Sequence, residues 1–257
     1  MTETPTGPVL ELNDVRVEFT SGAGAKRRTV RAMNDVSLHV DPGETLGLVG
    51  ESGSGKTTTA AVALGLRAPD SGSVRLLGAP LTRSRKATAG KIQAVLQHPH
   101  WSLNPRRRVG ESVREPLTVA RRDLGREQQR ARVGQMLEQV GLNPDFADRY
   151  PHELSGGQRQ RVSVARALIT EPRFIVFDEA VSALDVAVQL QILSLVRELQ
   201  QEHRFGALFI SHDLGAVERV ADRVAVLFRG DLVETAPTAE FFAAPAHPYS
   251  QRLLETL

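Results

Sequence analysis

Residues Thr45–Thr57 read TLGLVGESGSGKT, a short apolar run that passes directly into a glycine-rich segment. The run Thr45–Val49 predicts a buried strand, and Thr59–Leu66 beyond the glycines has a helical composition. The segment Gly50–Thr57 matches the pattern G-x-x-x-x-G-K-[ST] in the strand–loop–helix context that this pattern requires. It therefore predicts a phosphate-binding P-loop rather than a glycine-rich turn that happens to precede a helix.

The residues of this P-loop have distinct predicted roles. Its glycines let backbone N–H groups wrap around phosphates, Lys56 neutralises the β- and γ-phosphates, and Thr57 supplies a hydroxyl to Mg²⁺. The sequence thus predicts binding of ATP with Mg²⁺. The predicted nucleotide-binding residues of this segment are Gly50, Ser52, Gly53, Ser54, Gly55, Lys56, Thr57 and Thr58.

A second glycine pair predicts another anion site, which we call the second helix start. It consists of Ser155, Gly156, Gly157 and Gln158, which open a predicted helix through Ile169. A helix start built from serine and glycine presents bare backbone N–H groups and the positive end of the helix dipole, which together bind anions. One ATP molecule has no evident need for two such helix starts from the same subunit.

An acidic pair follows a predicted apolar strand. Phe174–Phe177 leads directly into Asp178 and Glu179. Beside a P-loop, an aspartate at the end of such a strand is expected to hold Mg²⁺ through water, and the next glutamate is placed to polarise the attacking water. An acidic pair after a strand is also typical of a helix N-cap, and without the P-loop that interpretation would be preferred.

Two further polar residues follow predicted strands. His212 comes after Leu208–Ile210, and Gln97 comes after Ile92–Leu96. Ligands of open α/β sheets bind at the carboxyl ends of the strands. His212 is therefore placed to donate a hydrogen bond to the γ-phosphate, and Gln97 to reach Mg²⁺ or the attacking water. Spacing alone leaves open a structural or merely exposed role for each residue.

Composition excludes several classes of site. None of the 257 residues is cysteine, which excludes disulfides and cysteine-ligated metal or iron–sulfur centres. Met1–Pro8 lacks the basic start and apolar run of a signal peptide, and apolar runs such as Phe174–Phe177 have the length of strands rather than of a membrane span. If the protein works at a membrane, we expect other chains to hold it there.

Basic residues are clustered, although the formal net charge is only +2. The clusters are Lys26–Arg28 with Arg31, Arg106–Arg108, and Arg121 with Arg122. Such clusters bind nucleic acid in some proteins, but aromatic residues that would stack on bases are scarce at 5% of the chain. A solvated face or a protein contact is the preferred interpretation, and we expect no nucleic acid partner.

Strand and helix patterns alternate along the chain. The predicted strands are Val9–Phe19, Val30–Val40, Thr45–Val49, Val74–Leu77, Ile92–Leu96, Phe174–Phe177, Ala207–Ile210, Val224–Phe228 and Leu232–Glu234. A turn is predicted at Asp70–Gly72, and an amphipathic helix that ends at Gly141 carries its apolar residues at Val133, Met136, Leu137 and Val140. The pattern predicts an α/β protein with a mostly parallel sheet covered on both faces.

The order of these motifs resembles that of the ATP-binding subunit of an ABC transporter, over essentially the whole chain. The motifs that carry the resemblance are Gly50–Thr57, Gln97, Leu154–Gln158, Asp178–Glu179, Ser182–Asp185 and His212. The resemblance implies a P-loop NTPase core with a mostly parallel sheet, an antiparallel β subdomain and an inserted helical subdomain. It implies a single ABC ATPase domain over residues 1–257, with the helical subdomain at roughly 98–160 and a short helical tail at 237–257.

The resemblance also assigns roles to single residues. Glu179 is implied as the general base, Gln97 as the Q-loop glutamine, and His212 as the H-loop switch. Asp185 is implied to close the D-loop. Phe19 resembles the A-loop aromatic that stacks on adenine, although a strand residue packed in the core is the alternative.

The resemblance also implies a ligand for the second helix start. ATPase domains of this family pair head to tail, so that each ATP lies between the P-loop of one domain and the second helix start of the other. Ser155, Gly156 and Gly157 are then expected to contact the γ-phosphate of the ATP held by the partner. A few charge-assisted hydrogen bonds of ~1.5–3 kcal/mol each would hold the pair together until phosphate is released.

Three segments narrow the resemblance to importers of dipeptides, oligopeptides and nickel. They are Thr45–Lys56, Ser102–Arg106 and His247–Tyr249. Such importers imply a second, different ATPase subunit, two membrane permease subunits and, indirectly, a substrate-binding protein, with this chain peripheral at the cytoplasmic face of the membrane. Ser102–Arg106 lies where the family contacts the permeases, although a surface loop with a proline turn is the alternative.

Two features depart from that pattern. Ala180 follows Glu179 where the family often has proline. Many longer members carry a cysteine-bearing tail that binds an iron–sulfur cluster, and we expect no such cluster in a sequence without cysteine.

An ABC-type ATPase outside transport is the alternative function. It would be a component of phosphonate breakdown, or an ABC protein that works on DNA or ribosomes. The latter class usually has two fused ATPase domains or long coiled-coil insertions, and the sequence shows neither.

Overall fold

The computed structural model of the chain describes residues 7–21, 28–81, 88–96, 103–182 and 184–255. The chain divides into two compact units. The first unit contains Met1–Arg83 and Gly206–Leu257, and the second contains Ser84–Phe205. The P-loop and His212 therefore belong to the first unit, whereas the acidic pair and the second helix start belong to the second.

One sheet of the first unit is antiparallel. Its strands, in order across the sheet, are β2 (Arg28–Val40), β1 (Leu10–Ser21), β4 (Ser71–Leu76) and β5 (Ala79–Pro80). On β1, Val15 and Val17 are buried whereas Arg16 and Glu18 are exposed, which is the period-two alternation of a half-buried strand. This sheet confirms the predicted antiparallel β subdomain.

Strand β4 begins earlier than its sequence pattern predicts. Ser71 and Gly72, predicted as part of a turn, are the first residues of the strand. Gly72 has a φ of +83°, and a Cβ atom there would lie 2.3 Å from the carbonyl oxygen of Asp14 in β1. The turn prediction is wrong here because this glycine permits a close approach between two strand backbones rather than a chain reversal.

The other sheet of the first unit carries the P-loop. Strand β3 (Thr45–Val49) lies between β8 (Gly206–Ile210) and β9 (Arg223–Phe228) and is parallel to both. Strand β10 (Asp231–Pro237) pairs with β9 in antiparallel orientation. All residues of β3 and β8 are buried, as expected for parallel strands covered on both faces. The predicted strands are confirmed, and β10 is longer than the predicted Leu232–Glu234.

Helix α1 (Lys56–Ala63) follows the P-loop and starts before the predicted Thr59. Its N-cap is Gly55, with a φ of +114°, and the chain leaves the helix at Gly65, with a φ of +68°. The threonines of the first turn have a low helix propensity, which hides this start from a composition-based prediction. The structure therefore brings Lys56 and Thr57 onto the helix itself.

The second unit contains a parallel strand pair and the longer helices. Strands β6 (Ile92–Leu96) and β7 (Phe174–Asp178) pair along their whole length. The helices are α2 (Val109–Ala120), α3 (Arg126–Gln139), α4 (Gly156–Leu168) and α5 (Val186–His203), with 3₁₀ turns at Pro144–Asp148 and Pro151–Glu153. Helix α3 is the predicted amphipathic helix, and Gly141, with a φ of +72°, follows its end.

Short helices complete the first unit. They are α6 (Leu214–Val220), which packs on β3, and α7 (Thr238–Ala243) and α8 (Pro248–Leu254) near the carboxyl end. Across the described part of the chain, no helix has the length and apolar character needed to cross a lipid bilayer.

Candidate functional site

The P-loop is a tight backbone turn between β3 and α1 that only glycine permits at key positions. Gly50, Gly53 and Gly55 have φ values of +145°, +81° and +114°. A Cβ atom on Gly50 would lie 2.2 Å from the carbonyl oxygen of Leu227, and one on Gly55 would lie 2.3 Å from that of Ala32. At Gly53 no described atom lies within 4 Å of that position. The loop is therefore packed on one side and open at Gly53.

Lys56 places a positive charge inside this loop. Its side chain is buried, and Nζ donates hydrogen bonds to the carbonyl oxygens of Gly50 at 2.6 Å and Glu51 at 2.8 Å. Both acceptors are neutral backbone carbonyls. An ammonium held at this point is suited to phosphate oxygens, which accept stronger, charge-assisted hydrogen bonds.

Helix α1 begins without a side-chain cap. Its N-cap Gly55 has no side chain to accept a hydrogen bond, and its first turn contains no acidic residue. The N–H groups of Lys56, Thr57 and Thr58 therefore lack intrahelical acceptors, and Thr57 is exposed. A helix start without a side-chain cap, an ammonium and an accessible hydroxyl fit the phosphates of a nucleotide and one oxygen ligand of Mg²⁺.

The back of the P-loop is held by the turn between β9 and β10. The N–H of Gly230 donates to the carbonyl oxygen of Ser54 at 2.9 Å, and the carbonyl of Gly230 accepts from the N–H of Asn34 in β2 at 2.9 Å. Ser54 is buried at this contact, whereas Ser52 is exposed. The loop conformation is thus determined by long-range contacts as well as by its own glycines.

Phe19 lies on the surface of the antiparallel sheet. It faces Val30 across the strand pair, and the two residues are 48% and 61% exposed. The guanidinium of Arg67 lies over the Phe19 ring, 5.3 Å from its centroid. Farther along β2, the Ala32 carbonyl lies against Gly55 of the P-loop. The alternative that Phe19 packs in the core is wrong, and an exposed ring beside the strand that contacts the P-loop is suited to stacking on a base.

His212 stands at the same sheet edge as the P-loop. Strands β3 and β8 pair with Leu48 opposite Ile210, so the residues that follow them emerge side by side. His212 is exposed, and the residues around it are fixed, because the Asp213 N–H donates to Ser211 Oγ at 3.0 Å and Asp213 caps α6. His212 thus follows the carboxyl end of β8, level with the end of β3, and its contact with a γ-phosphate stays a prediction.

The second helix start is a capped one. Ser155 is the N-cap of α4, and its Oγ accepts a hydrogen bond from the N–H of Gln158 at 3.3 Å. The Gln158 Oε1 in turn accepts from the N–H of Ser155 at 2.9 Å. This reciprocal capping box uses two donors that the sequence suggested were bare, and it leaves the N–H groups of Gly156 and Gly157 to meet an anion.

The glycines of the second helix start are also required by packing. A Cβ atom on Gly157 would lie 2.5 Å from Cγ1 of Val188, and one on Gly156 would lie 3.5 Å from Cδ2 of Leu184. Helix α5 therefore packs closely on the first turn of α4. Leu184 and Asp185, which precede α5, therefore lie beside the second helix start.

The acidic pair lies at the end of β7. Asp178 is the last residue of the strand, and Glu179 follows with a φ of +48°, which is rare outside glycine. The N–H and Oγ of Ser182 both donate to the Glu179 carbonyl oxygen, at 3.2 and 3.0 Å, and this fixes the strained backbone. Among the described helices neither residue is an N-cap: the N-cap of α5 is Asp185, whose carboxylate accepts from the N–H of Val188 at 3.0 Å.

The predicted metal-binding glutamine cannot be placed beside this pair. Gln97 lies outside the described residues, as does Ser102 of the predicted permease-contact segment. Leu96, the residue before Gln97, is paired with Asp178 across β6 and β7. The carboxyl ends of these two strands therefore lie level.

Several arginines of the basic clusters are paired with carboxylates. Arg31 contacts Glu18, Arg107 contacts Glu115, Arg108 contacts Asp148 and Arg121 contacts Asp123. The hydrogen bonds from Arg121 hold the pKa of Asp123 below its ordinary value. These partly exposed pairs are typical of a solvated surface.

Sequence reasoning missed two side chains, one against Phe19 and one against the P-loop. Arg67 covers one face of the Phe19 ring, and the hydroxyl of Tyr249 accepts a hydrogen bond from the N–H of Glu51 at 3.0 Å. Both contacts join residues far apart in sequence. The sequence of the His247–Tyr249 segment carries a family resemblance, but nothing local in it predicts a contact with the P-loop.

Comparison with known proteins agrees with this geometry. The family model described as ABC transporter matches residues 33–182, which include the P-loop, the second helix start and the acidic pair. A provisionally named peptide import ATP-binding protein of Brucella abortus (strain 2308) is 48% identical over 90% of this chain and 70% of its own length. The oligopeptide transport ATP-binding protein OppF of Bacillus subtilis (strain 168) is 42% identical over 98% of this chain and 83% of its own length.

The fold is also similar to that of a solved structure. The ATP-binding cassette MJ0796, in a dimeric post-hydrolysis state bound to ADP and Pi, superposes with a TM-score of 0.76 and 27% sequence identity. The superposition covers 89% of this chain and 98% of that one.

Proposed function

The chain belongs to the ABC transporter family of ATP-binding proteins, and from that premise we propose that it hydrolyses ATP to power the import of peptides through membrane permease subunits. The observation that carries the proposal is the P-loop, with an uncapped helix start and a buried lysine, in a chain whose relatives are named for peptide import. Nickel, the other substrate class suggested by the sequence, stays a prediction.

The P-loop binds the phosphates in this proposal. The N–H groups at the start of α1 donate to phosphate oxygens, and the Lys56 ammonium neutralises the β- and γ-phosphates. The exposed Phe19 ring stacks on adenine. When bound, Mg²⁺ shields the charge of the phosphates, and Thr57, Gln97 and Asp178 are the residues we assign to it.

Hydrolysis depends on residues beyond the P-loop. The Glu179 carboxylate acts as the general base for the attacking water, and the Ser182 hydrogen bonds hold its backbone in place. His212 donates a hydrogen bond to the γ-phosphate. Asp185, six residues after Glu179, caps α5, whose first turn packs on the second helix start.

The second helix start acts on an ATP that another subunit holds. The N–H groups of Gly156 and Gly157, with Ser155 and Gln158, contact the γ-phosphate of that ATP. The dimeric state of the MJ0796 cassette supports such a pairing. We propose that the facing subunit is a second ABC ATPase of different sequence, so that this chain alone binds ATP but hydrolyses it slowly.

The proposed assembly lies at the cytoplasmic face of a membrane. It contains this chain as a peripheral subunit, the second ATPase and two permease subunits, with a substrate-binding protein that delivers the solute. The names of the import relatives support permease partners. The proposal includes no nucleic acid, and a chain without cysteine supplies no thiolate for an iron–sulfur cluster.

Substitution of Glu179 by glutamine tests the catalytic proposal. Glu179→Gln removes the base but keeps the shape of the side chain, so we expect turnover by the assembled complex to fall by about 10²-fold or more. Binding of MgATP to the chain should be unchanged, as measured by equilibrium titration. Undiminished phosphate release would contradict the role of Glu179.

A matched control is available in the same unit. Glu171 also has a positive φ, of +53°, and its exposed carboxylate contacts Arg132 at 3.5 Å. Glu171→Gln makes the same chemical change in the same backbone conformation, and we expect turnover within twofold of the wild type. A loss equal to that of Glu179→Gln would show that the effect is not specific to the proposed base.

Co-purification tests the transport assignment against the alternatives. Isolation of the chain from its native cells with permease subunits and a second ATPase is the expected result. Isolation with ribosomes, with DNA or with enzymes of phosphonate breakdown would contradict import.

A further inference from the structure

A tyrosine near the carboxyl end of the chain contacts the P-loop from outside. The Oη of Tyr249 accepts a hydrogen bond from the backbone N–H of Glu51 at 3.0 Å. Tyr249 belongs to α8, is only 3% exposed and lies in the same unit as the P-loop. Neither Tyr249 nor the rest of the His247–Tyr249 segment belongs to the proposed nucleotide-binding or catalytic residues.

The contact controls one peptide plane of the P-loop from both ends. The carbonyl of Gly50 and the N–H of Glu51 belong to the same planar, trans peptide unit, so they point in opposite directions. Tyr249 Oη holds the N–H end at 3.0 Å, and Lys56 Nζ holds the carbonyl end at 2.6 Å. Rotation of this peptide would break both hydrogen bonds, so the position of Tyr249 influences the position of the Lys56 ammonium.

Tyr249 is itself held firmly. Its ring packs on the ring of Phe228, with centroids 4.2 Å apart, at the end of β9. The carboxylate of Glu234 accepts from the N–H groups of Ala246 and His247, at 2.8 and 3.0 Å, and so fixes the turn that precedes α8. Nδ1 of His247 then accepts from the N–H of Tyr249 at 3.1 Å. The hydroxyl is thus fixed with respect to β9 and β10, whose turn also contacts Ser54.

The ionisation states of Glu234 and Tyr249 favour the hydrogen bond between Tyr249 and Glu51 at neutral pH. Partial burial opposes ionisation of Glu234, but the hydrogen bonds that its carboxylate accepts, including those from Ala246 and His247, hold its pKa below the ordinary value. Burial raises the pKa of the Tyr249 phenol. At neutral pH the Glu234 carboxylate is therefore ionised and the Tyr249 phenol is protonated.

We propose that Tyr249 is a positioning residue for phosphate binding, which acts through the Gly50–Glu51 peptide on Lys56 and keeps the P-loop in its binding conformation before the nucleotide arrives. This inference rests on the proposed role of the P-loop in binding ATP. A loop that is already ordered loses less conformational freedom when its ligand binds, and binding is tighter for that reason.

Removal of the hydroxyl alone tests the inference. Tyr249→Phe keeps the ring on Phe228, and we expect the dissociation constant of MgATP, measured with the full chain, to rise about three- to tenfold, the effect of one hydrogen bond. We expect the KM for ATP to rise by the same factor, with kcat of the assembled complex within twofold of the wild type. The matched control is Tyr150→Phe, since Tyr150 is the other of the two tyrosines and lies in the second unit.

A direct measurement covers the case in which Tyr249→Phe folds poorly. Hydrogen exchange of the Glu51 amide, followed by nuclear magnetic resonance in the wild-type chain without nucleotide, should be slow because the N–H is bonded to a buried oxygen. Exchange as fast as in an open loop would contradict the contact and the inference.

The outcomes separate the inference from the proposed function. Unchanged MgATP affinity in a folded Tyr249→Phe chain would overturn the inference and leave ATP binding intact. A fall in kcat with unchanged affinity would also overturn it, because the residue would then act on hydrolysis rather than on phosphate binding. Failure of the wild-type chain to bind MgATP would instead overturn the proposed function.

Discussion

Two helix starts of this protein carry glycines and are proposed to bind phosphate, yet they are built differently. Helix α1 begins at a glycine N-cap in the left-handed region, without a side-chain hydrogen bond. Helix α4 begins at Ser155, whose hydroxyl and backbone take part in a reciprocal capping box with Gln158. The first has no side-chain cap for its initial N–H groups, whereas the second satisfies two of its donors internally.

The difference indicates how each helix start is used. The P-loop before the uncapped start of α1 is held by contacts from elsewhere in the chain, including Gly230 on Ser54 and Tyr249 on Glu51. The capped start of α4 is stable without a ligand, and α5 packs tightly on its glycines. A preformed surface with a few remaining N–H groups is suited to a phosphate that is presented by another subunit.

Among the tests of this difference, loss of the P-loop lysine is expected to change MgATP affinity the most. Lys56→Ala removes the ammonium that would meet the phosphates, and hydrogen bonds to charged groups contribute about 1.5–3 kcal/mol. We expect the MgATP affinity of the chain to fall about 10- to 100-fold, measured by equilibrium titration. Lys91→Ala, at an exposed lysine of the second unit, is the control and should bind as the wild type does. Retention of full affinity by Lys56→Ala would mean that the P-loop is not the principal site.

Substitutions of the two glycines of the second helix start test its packing, with a smaller expected effect. Gly157→Ala places a Cβ atom 2.5 Å from Val188, so either α4 or α5 must shift. We expect a loss of about 1–3 kcal/mol in the free energy of unfolding, as for other overpacked sites. Gly156→Ala places its Cβ atom at an ordinary 3.5 Å from Leu184 and should be near neutral. Equal denaturation midpoints for the two variants would show that the packing of α5 on α4 has been misassigned.

Much of this arrangement was predictable because it is local. The P-loop needs glycines at fixed positions, and a buried parallel strand needs a continuous apolar run, so the pattern from Thr45 to Thr57 predicts both. The same holds for β7 before Asp178 and for the amphipathic helix before Gly141. Family membership and the α/β fold with its antiparallel subdomain are confirmed.

The remainder depends on distant contacts that leave no local pattern. Glycine is required at Gly72 because the Asp14 backbone lies against it. Glycine is required at Gly157 because the Val188 side chain lies against it. The capping role of Gln158 was visible in principle, since a serine followed three residues later by glutamine is a capping-box pattern, but the glycines between them favoured an anion-binding interpretation. The hydrogen bond between Tyr249 and Glu51 joins opposite ends of the chain, and no spacing rule predicts it.

The capped helix start gives the most direct test of the account, through the MgATP dissociation constant of Ser155→Ala measured on the chain alone. Loss of this N-cap should reduce stability by about 1 kcal/mol. If the second helix start serves an ATP held by another subunit, affinity should stay within twofold of the wild type, and turnover should fall only in the assembled complex. A loss of affinity as large as that of Lys56→Ala would show that both helix starts bind the same nucleotide in one chain, and would contradict the account.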